Sequence, residues 1–528
     1  MAKFNAASKT RTGVQSPVKS VAQTTNAKGA VAYERDLFGE LFLLSVANMV
    51  GEDRFHEFAT ERDDRFETLS RAAAVQNPSW FIGFVGWLRN EAFMRSASLV
   101  AAVEGAKALY EAGALNGTPR AIVAASQARA DEPGEVFAYY ESKYGKNFPA
   151  FLKKGVADGA RKLYNEYSLL KYDTDSKGYR FADVLQLSHA KAGNPTQNDL
   201  FSLALDRRYA NVTDVPASLT MVNAREGLMK TDVSARKGLL NSTLLKDAGM
   251  TWEALSGWLQ GPMDAEAWES VIPSMGYMAL LRNLRNFQQA DVSAPVMKSV
   301  LAKLADPAQV AKSKQFPFRF LAAYQANKNN LKISAALEEA LEASLSNVPT
   351  LSGRTLILVD RSGSMFGHHR SDSELTMADK AAIFGSALAL RAENADLVQF
   401  GSAWGGRKPY EAVDFRKGDS LLPMLGKFRD MGGTETYSAV KGTFKGHDRV
   451  IIITDEQYDS YGWGVRQGDP SDAVPANVPL YTWNLEGYKA GGKSGNQKRH
   501  TFGGLTDKAF SQIPLIEAGQ QARWPWEA

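Results

Sequence analysis

The stretch from Leu356 to Met365, LILVDRSGSM, decides the fold of the C-terminal part of this 528-residue chain. Its four consecutive apolar residues predict a strand buried on both faces, as in a parallel sheet. The strand stops at Asp360, and Ser362 and Ser364 follow in a loop. Because ligands of open α/β sheets bind beyond the carboxyl ends of the strands, these three side chains are candidates for a binding site. They offer oxygen ligands, which suit a hard cation such as Mg²⁺.

Strand-like and helix-like runs alternate after this point. The strand-like runs span residues 354–359, 397–400, 449–453 and 479–483. Helix-like runs span residues 377–393 and 507–518. This alternation predicts a doubly wound α/β domain over residues 354–528, preceded by a short linker over residues 347–353.

Residues 31–346 show helical periodicity without a sustained strand pattern. One apolar stripe contains Leu99, Val103, Ala106 and Tyr110, and another contains Val156, Ala160, Leu163 and Tyr167. Such a long run of helices predicts helical pairs stacked as a solenoid rather than one bundle. No regular repeat period is visible, so the repeats are expected to be irregular.

The N-terminal arm, residues 1–30, contains five basic residues and no acidic one. Its Ser, Thr and Ala content and its positive charge predict a disordered segment. The rest of the chain is close to neutral, so any attraction for nucleic acid must come from local patches. Residues 143–191 hold ten Lys or Arg against five acids, and residues 282–330 hold eight against two. A solvated helix surface explains such windows equally well.

Two further segments extend the Asp-x-Ser-x-Ser motif into a candidate metal site. Thr434 follows a glycine pair, and Asp455 follows the buried run Ile451–Thr454. Two aspartates at the ends of parallel strands, with three hydroxyls, would make an oxygen shell suited to Mg²⁺ or another divalent cation. In the alternative interpretation Asp360 or Ser362 only caps the following helix. Glu435 is expected to be a surface acid of the loop.

The order Asp360, Ser362, Ser364, Thr434 and Asp455 resembles the metal-ion-dependent adhesion site of von Willebrand factor A domains. In that family the hydroxyls ligate the ion directly or nearly so, and the aspartates often bind through water. A partner's carboxylate can complete the shell. The resemblance therefore implies a site that binds rather than catalyses.

Several further segments resemble the Ro ribonucleoprotein family, whose helical module is called TROVE. They occur in the same order, up to the metal motif, as FPAFLKKG (residues 148–155), LYNE (163–166), LLKY (169–172), DVLQLSHAK (183–191), MALLRNL (278–284) and FPFRFL (316–321). The resemblance covers the chain from about residue 30 to its C-terminus. It identifies a bacterial-type Ro protein with a C-terminal von Willebrand factor A-like domain.

This resemblance implies a ring of irregular HEAT-like helical repeats, closed by the von Willebrand factor A-like domain. Single-stranded ends of non-coding RNA would enter the central hole, and a structured Y-like RNA would bind the outer surface. His189 and Lys191 match family positions implicated in binding structured RNA, and Lys171 matches another basic position. The full set of candidate RNA-binding residues is Lys153, Lys154, Arg161, Lys171, His189, Lys191, Arg282 and Arg285.

The leading hypothesis is a monomeric, non-enzymatic RNA-binding ring that acts in RNA quality control, maturation or decay, with an exoribonuclease as a further partner. An alternative is a metal-dependent protein-adhesion scaffold without a primary RNA role. A nuclease using Asp360 and Asp455 is disfavoured because two-metal nucleases cluster several carboxylates.

The chain has no cysteine, which excludes disulfides and thiolate sites. Without a membrane-spanning apolar run or a secretory signal, we expect a cytoplasmic protein.

Overall fold

The computed structural model describes residues 17–26, 31–47, 59–114, 116–346, 348–367, 375–403, 407–459, 461–462, 465–488, 493–494, 498–504, 507–517 and 524–527. Contacts divide the chain into two compact units. One combines the N-terminal residues up to Asn48 with Leu345–Ala528, and we term it the α/β unit. The other consists chiefly of Thr60–Ser344, and we term it the helical unit.

An N-terminal hairpin and helix belong to the α/β unit. Strand β1 (Ser20–Thr25) pairs antiparallel with β2 (Val31–Arg35), and helix α1 (Leu37–Ala47) follows. The described part of the predicted disordered arm therefore contains a strand, whereas residues 1–16 and 27–30 of that arm lie outside the described residues. The predicted boundary at residue 31 also differs from the structure, because β2 and α1 group with the C-terminal residues.

The helical unit consists of α-helices joined by short connections, with a π-helical turn at Asp206–Ala210 and 3₁₀ turns at Lys237–Leu239 and Ile272–Ser274. Its helices are α2 (Ala59–Gln76), α3 (Pro78–Asn90), α4 (Arg95–Glu111), α5 (Thr118–Ala125), α6 (Glu132–Tyr144), α7 (Ala150–Leu163), α8 (Glu166–Tyr172), α9 (Phe181–Ser188), α10 (Pro195–Leu205), α11 (Thr220–Met229), α12 (Val233–Arg236), α13 (Ser242–Asp247), α14 (Trp252–Leu259), α15 (Ala265–Val271), α16 (Tyr277–Gln289), α17 (Ala294–Ala305), α18 (Pro307–Ser313), α19 (Pro317–Asn327) and α20 (Leu331–Ser344). No helix in the described ranges combines the length and apolar character needed to cross a membrane.

Two of the predicted helical stripes differ from the structure. Helix α4 is buried on nearly every side, whereas Tyr110 of its predicted stripe is 44% exposed. The apolar stripe predicted to run from Val156 to Tyr167 is interrupted, because α7 ends at Leu163 and Asn165 caps a new helix, α8. The Asn165 side chain accepts a hydrogen bond from the Ser168 N–H, and the Ser168 hydroxyl accepts one from the Asn165 N–H. This reciprocal cap starts a helix that the apolar spacing alone does not reveal.

A charge cluster joins α4 to the start of α6. The buried Asp131 carboxylate accepts two hydrogen bonds of 2.6 Å from the Arg129 guanidinium and one of 3.1 Å from Arg95. The Lys177 amine lies 3.6 Å from the same carboxylate. Burial alone would raise the pKa of Asp131, but these cations outweigh it and hold the pKa below its ordinary value.

We expect Asp131→Asn to destabilise the helical unit by about 2 kcal/mol at neutral pH, because it removes charge-assisted hydrogen bonds. A depressed folded-state pKa stabilises the protein above the unfolded-state value of about 3.9, and this stability is lost as pH falls through the folded-state pKa. Urea unfolding of both proteins between pH 7 and pH 3 tests this. The difference should shrink below about pH 4; a difference that stays constant down to pH 3 contradicts it.

The C-terminal part of the α/β unit alternates strands and helices, as predicted. Its elements are β3 (Leu351–Asp360), α21 (Met377–Arg391), β4 (Ala392–Phe400), β5 (Tyr410–Ala412), α22 (Leu421–Leu425), α23 (Thr436–Thr443), β6 (Arg449–Thr454), β7 (Tyr461–Gly462), β8 (Val465–Arg466), β9 (Leu480–Asn484), β10 (Arg499–Gly503) and α24 (Gln512–Glu517). Strand β3 begins inside the predicted linker. Short 3₁₀ turns occupy Gly363–Phe366, Pro470–Ala473 and Asp507–Ser511.

Within the described residues, the main sheet has six strands in the order β10-β9-β6-β3-β4-β5, and of these only the edge strand β5 is antiparallel. Side chains alternate between its two faces. Leu356 and Leu358 share a buried cluster with Val440 of α23. Val359 points to the other face, where its side chain lies against Gly385 of α21. Helices therefore cover both faces, which confirms the predicted layered α/β architecture; the solenoid repeats remain a prediction.

Strand β10 was not predicted, although all five of its residues are buried. Its sequence, RHTFG, lacks the apolar run that identifies β3 and β6. The Arg499 guanidinium instead donates to five carbonyl oxygens, and the three shortest of these hydrogen bonds are to Val474 (2.7 Å), Val478 (2.8 Å) and Ser471 (2.9 Å). Burying a polar residue in this way depends on tertiary partners that sequence periodicity does not show.

Candidate metal centre and nucleic-acid interface

The two central strands of the sheet bring the predicted metal-site segments to one edge. Strands β3 and β6 are parallel neighbours, with Val359 opposite Ile453. Asp360 therefore lies beside Thr454, whose hydroxyl donates a 2.5 Å hydrogen bond to Asp360 Oδ2. Asp455 comes one residue further on. The sequence predicted the neighbourhood of the two aspartates but not the role of Thr454, which depends on the register.

The Asp-x-Ser-x-Ser loop is compact and buried. Asp360 Oδ1 accepts a 2.8 Å hydrogen bond from the Ser362 N–H, and the hydroxyl oxygens of Ser362 and Ser364 lie 3.2 Å apart. Asp360 and Ser362 are fully buried, and Ser364 is 8% exposed. Neither Asp360 nor Ser362 caps the next α-helix, because α21 is capped by Thr376 and Asp379. The capped-helix alternative is therefore wrong for α21, although Asp360 does close a local turn.

The loop that carries Thr434 runs between the loops that follow β3 and β6. On one side the Gly363 N–H donates to Gly432 O at 2.5 Å. Gly432 has φ +79°, a conformation that favours glycine. On the other side the Thr434 N–H donates to Asp459 Oδ2 at 2.5 Å, and the Asp459 N–H returns a bond to Thr434 O at 2.9 Å. All three predicted segments thus meet at the carboxyl edge of the sheet.

Glu435 differs from its prediction as a surface acid. It is only 4% exposed, and its Oε1 accepts a 2.8 Å hydrogen bond from the Ala403 N–H. Its carboxylate therefore helps to hold the segment after β4 against the Thr434 loop. The sequence gives no signal for this bond, because its partner is a main-chain group 32 residues away.

Two buried arginines that the sequence analysis did not single out bind the segments next to the candidate ligands. Arg361 is 4% exposed, and its guanidinium donates to the carbonyl oxygens of Ala378 (2.6 Å) and Arg429 (3.1 Å). Burial lowers the pKa of Arg361, while the nearby Asp379 and Asp360 oppose that change. Arg35 of the N-terminal hairpin forms a buried ion pair with Glu456, the residue after Asp455, at 3.2 Å.

The donor set at this edge fits a hard divalent cation. It contains the carboxylates of Asp360 and Asp455 and the hydroxyls of Ser362, Ser364 and Thr434. None of these five side chains offers a nitrogen or sulfur ligand. Within the described ranges, no three His, Cys, Asp or Glu side chains gather in a way that could hold a metal ion. A site here would therefore depend on hydroxyl and water ligands, as Mg²⁺ sites commonly do.

The candidate RNA-binding residues lie on the surface of the helical unit in separate places. Arg161, His189 and Lys191 form one set: all three are exposed, and Arg161 Nε would lie 3.4 Å from a Cβ added at Gly193. Lys154 precedes Arg161 by seven residues on α7, so both project from the same helix face. His189 ends α9 in the left-handed conformation, with φ +54°.

The other candidates occupy α7, which carries Lys153 next to Lys154, and helices α8 and α16. Arg282 and Arg285 lie on the exposed face of α16, opposite the buried Leu281 and Leu284, as predicted. Lys171 lies in the last turn of α8. Among the described residues, no salt bridge involves the predicted RNA-binding cations Lys153, Lys154, Arg161, Lys171, Lys191, Arg282 and Arg285.

These observations define a protein with one all-helical unit and one layered α/β unit that carries an oxygen-rich site at its strand ends. Residues 247–348 match the family model of the TROVE domain. The RNA-binding protein RO60 of Deinococcus radiodurans is 25% identical over 301 residues, which are 53% of this chain and 54% of that protein. The chain thus aligns with about half the length of this curated relative. Both similarities agree with the resemblance to TROVE-domain Ro proteins that the motifs of the chain predicted.

The fold is also similar to the crystal structure of the Deinococcus radiodurans RO (RSR) protein. The TM-score is 0.59 with 18% sequence identity, over 85% of this chain and 93% of the other. The family match at residues 247–348 covers only the C-terminal part of the helical module predicted over residues 31–346.

Proposed function

We propose that this protein binds non-coding RNA through the helical unit. The observation that carries the proposal is the set of exposed cations without salt bridges in the described part of that unit, chiefly Arg161, Lys191, Arg282 and Arg285. Unpaired Lys and Arg side chains can neutralise phosphates and release counterions, which drives binding with little sequence preference. The relative named RNA-binding protein RO60 supports the same function.

The finer proposal follows the family. The helical repeats form a ring closed by the von Willebrand factor A-like domain, single-stranded RNA ends enter the hole, and a structured Y-like RNA binds outside. An exoribonuclease would be a further partner, and the protein would serve RNA quality control, maturation or decay in the cytoplasm as a monomer. His189 and Lys191 would contact the structured RNA, whereas Arg282 and Arg285 present their guanidiniums from one helix face.

A two-substrate binding assay tests this division of surfaces. We expect the double variant Lys171→Ala/His189→Ala to lose affinity for a structured RNA but to keep its affinity for an RNA with a single-stranded 3′ tail. Filter binding at two salt concentrations measures both affinities, and the slope against salt should fall for the structured RNA as phosphate contacts are lost.

Lys332→Ala provides the matched control, because Lys332 is an exposed lysine of α20 outside both basic windows. It should bind both RNAs like the wild type. Equal loss of both RNAs in the double variant, or no loss of either, contradicts the assignment of separate surfaces.

We further propose that Asp360, Ser362, Ser364, Thr434 and Asp455 hold Mg²⁺ or another divalent cation. The buried carboxylates and hydroxyls of the described site support this, since they supply only oxygen donors. Such an ion would supply a positive centre to which a partner's carboxylate could bind. The chain's own residues would position the ion, and the Thr454 hydroxyl would orient Asp360.

The alternative is a metal-dependent adhesion scaffold in which both units hold protein partners. The oxygen-rich edge of the sheet favours it as much as it favours a role beside RNA. Nucleic acid that co-purifies with the protein and disappears on nuclease treatment would support the RNA-binding function. Its absence, together with Mg²⁺-dependent capture of a protein, would favour the scaffold.

A further inference from the structure

A cavity of about 270 Å³ lies in the α/β unit, where the chain leaves β4 at the carboxyl edge of the sheet. Two segments line it, residues 402 and 407–408 after β4 and residues 429–432 before α23. The Ser402 N–H donates a 2.9 Å hydrogen bond to Met431 O, which joins the two segments. A Cβ added at Gly401 would lie 2.4 Å from the Met431 side chain, so this close approach requires glycine. The two segments are therefore fixed against each other, and the space between them is termed the edge cavity below.

The edge cavity adjoins the candidate metal site. Gly432 lines the cavity, and its carbonyl oxygen accepts the hydrogen bond from the N–H of Gly363, inside the Asp-x-Ser-x-Ser loop. Thr434, a further candidate ligand, follows Gly432 by two residues. The cavity wall and the candidate metal site thus share their loops, and a ligand in the cavity can extend a second group toward that site.

Four charged side chains line the edge cavity, namely Arg407, Lys408, Arg429 and Asp430. Arg429 is already engaged, because its Nε donates a 2.8 Å hydrogen bond to Glu411 and its Nη2 pairs with the same carboxylate. Arg407 and Lys408 are exposed, and neither forms a salt bridge with another described residue. Lys408 Nζ lies 5.7 Å from the centroid of the Tyr410 ring, a cation–π contact that leaves its hydrogen-bond donors for an anion. The cavity therefore offers two consecutive unpaired cations.

Asp430 distinguishes between the two kinds of polymer that carry negative charge. Its Oδ1 accepts a 2.9 Å hydrogen bond from the Gly432 N–H, and its carboxylate forms no salt bridge with the described residues. A nucleic-acid backbone brings one negative charge with every nucleotide, so Asp430 repels it. An acidic peptide brings carboxylates for the two cations together with main-chain N–H groups, whose hydrogen bonds Asp430 can accept. The mixture of charges therefore favours a peptide over RNA.

We propose that the edge cavity binds an acidic segment of a partner protein, with a Glu or Asp carboxylate between Arg407 and Lys408 and a main-chain N–H on Asp430. Hydrogen bonds between ionised groups are short and about twice as strong as neutral ones. The proposal goes beyond RNA binding by the helical unit and adds a protein partner to it. The candidate cation would offer a second anchor to a neighbouring carboxylate, but the contacts in the cavity do not depend on the ion.

The test uses the full-length protein in Mg²⁺ and two fluorescein-labelled peptides, one of alternating Glu and Gly residues and one with Gln in place of each Glu. Fluorescence anisotropy should show that the wild type prefers the Glu peptide. Arg407→Ala/Lys408→Ala should weaken that binding roughly tenfold, because it removes the charge-assisted hydrogen bonds. Arg407→Lys/Lys408→Arg, which keeps both charges, should bind like the wild type.

Arg416→Ala/Lys417→Ala is the matched control. Arg416 and Lys417 form the same consecutive pair in the same unit, and both are exposed and lie outside the cavity. The control changes the net charge by the same amount, so it should bind the Glu peptide like the wild type. Equal weakening in the two double alanine variants overturns the proposal, as does a wild type that does not prefer the Glu peptide.

Two further arms separate the edge cavity from other sites. If Arg407→Ala/Lys408→Ala binds the Glu peptide like the wild type and a chelator abolishes the binding, the peptide belongs to the candidate metal site and the proposal is wrong. If the same variant loses affinity for an oligouridine instead of the peptide, the cavity binds phosphates and the proposal is again wrong. The structured and tailed RNAs test the proposed function separately, and the double alanine variant should bind both of them like the wild type.

Discussion

Arg35→Ala is expected to lower the free energy of unfolding of the α/β unit by about 3–5 kcal/mol, because it leaves a buried carboxylate without its cation. The side chains of Arg35 and Glu456 are 1% and 0% exposed. Asn484 donates a 2.7 Å hydrogen bond to Glu456 Oε2, but an amide cannot balance the charge. Glu456 also has φ +59°, a strained conformation for glutamate that its surroundings must maintain.

Urea unfolding, with hydrogen exchange of β6 to separate the two units, measures this loss. Arg354→Ala is the matched control: Arg354 pairs with Asp396 in the same unit, but the two side chains are 47% and 52% exposed. Exposed ion pairs contribute at most about 1 kcal/mol, so this variant should be nearly as stable as the wild type. Equal losses of unfolding free energy in the two variants would show that the buried Arg35–Glu456 ion pair contributes no more than an exposed one.

Asp360→Ala is expected to abolish the stabilisation of the α/β unit by Mg²⁺. An ion that binds only the folded state stabilises it by about 2.7 kcal/mol at 100 times its Kd. For a unit of this size that corresponds to a rise in melting temperature of roughly 5–10 °C. Alanine removes one carboxylate of the donor set and also the acceptor of the Thr454 hydroxyl.

Thermal unfolding with Mg²⁺ and with a chelator, for both proteins, provides the measurement. Asp472→Ala serves as the control, since Asp472 is a carboxylate of the same unit with a 61% exposed side chain and lies outside the donor set. It should keep the full response to Mg²⁺. If the melting temperature of the wild type does not respond to Mg²⁺, the proposal of a metal site is contradicted.

The sequence predicted the parts of the fold that depend on local patterns. The apolar runs before Asp360 and Asp455 identified β3 and β6, and the rule that parallel strands end at one edge brought the two aspartates together. Thr434 was added to the candidate site because it follows a pair of glycines in a loop. The two strands were predicted correctly because hydrophobic periodicity is a local property of the chain, whereas the metal site stays a prediction.

The residues that the sequence missed act through distant partners. Arg35 matters only because Glu456, 421 residues later, lies against it. Thr454 orients Asp360 through a register that no single strand encodes. Tyr167 was assigned to a buried stripe, since its spacing from Leu163 is helical, but the Asn165 cap starts a new helix and leaves the ring exposed. Tertiary partners and one cap therefore outweighed the periodicity.

The hairpin that belongs to the α/β unit has a consequence for how the chain is made. Arg35 leaves the ribosome 421 residues before Glu456, which at typical rates of synthesis is an interval of roughly 20–80 s. Through that interval Val18, Arg35 and the apolar side of α1, all buried in the finished protein, have no strand to cover them. The α/β unit can close only when β9 and β10 have emerged, so the hairpin is fixed in place long after its own synthesis.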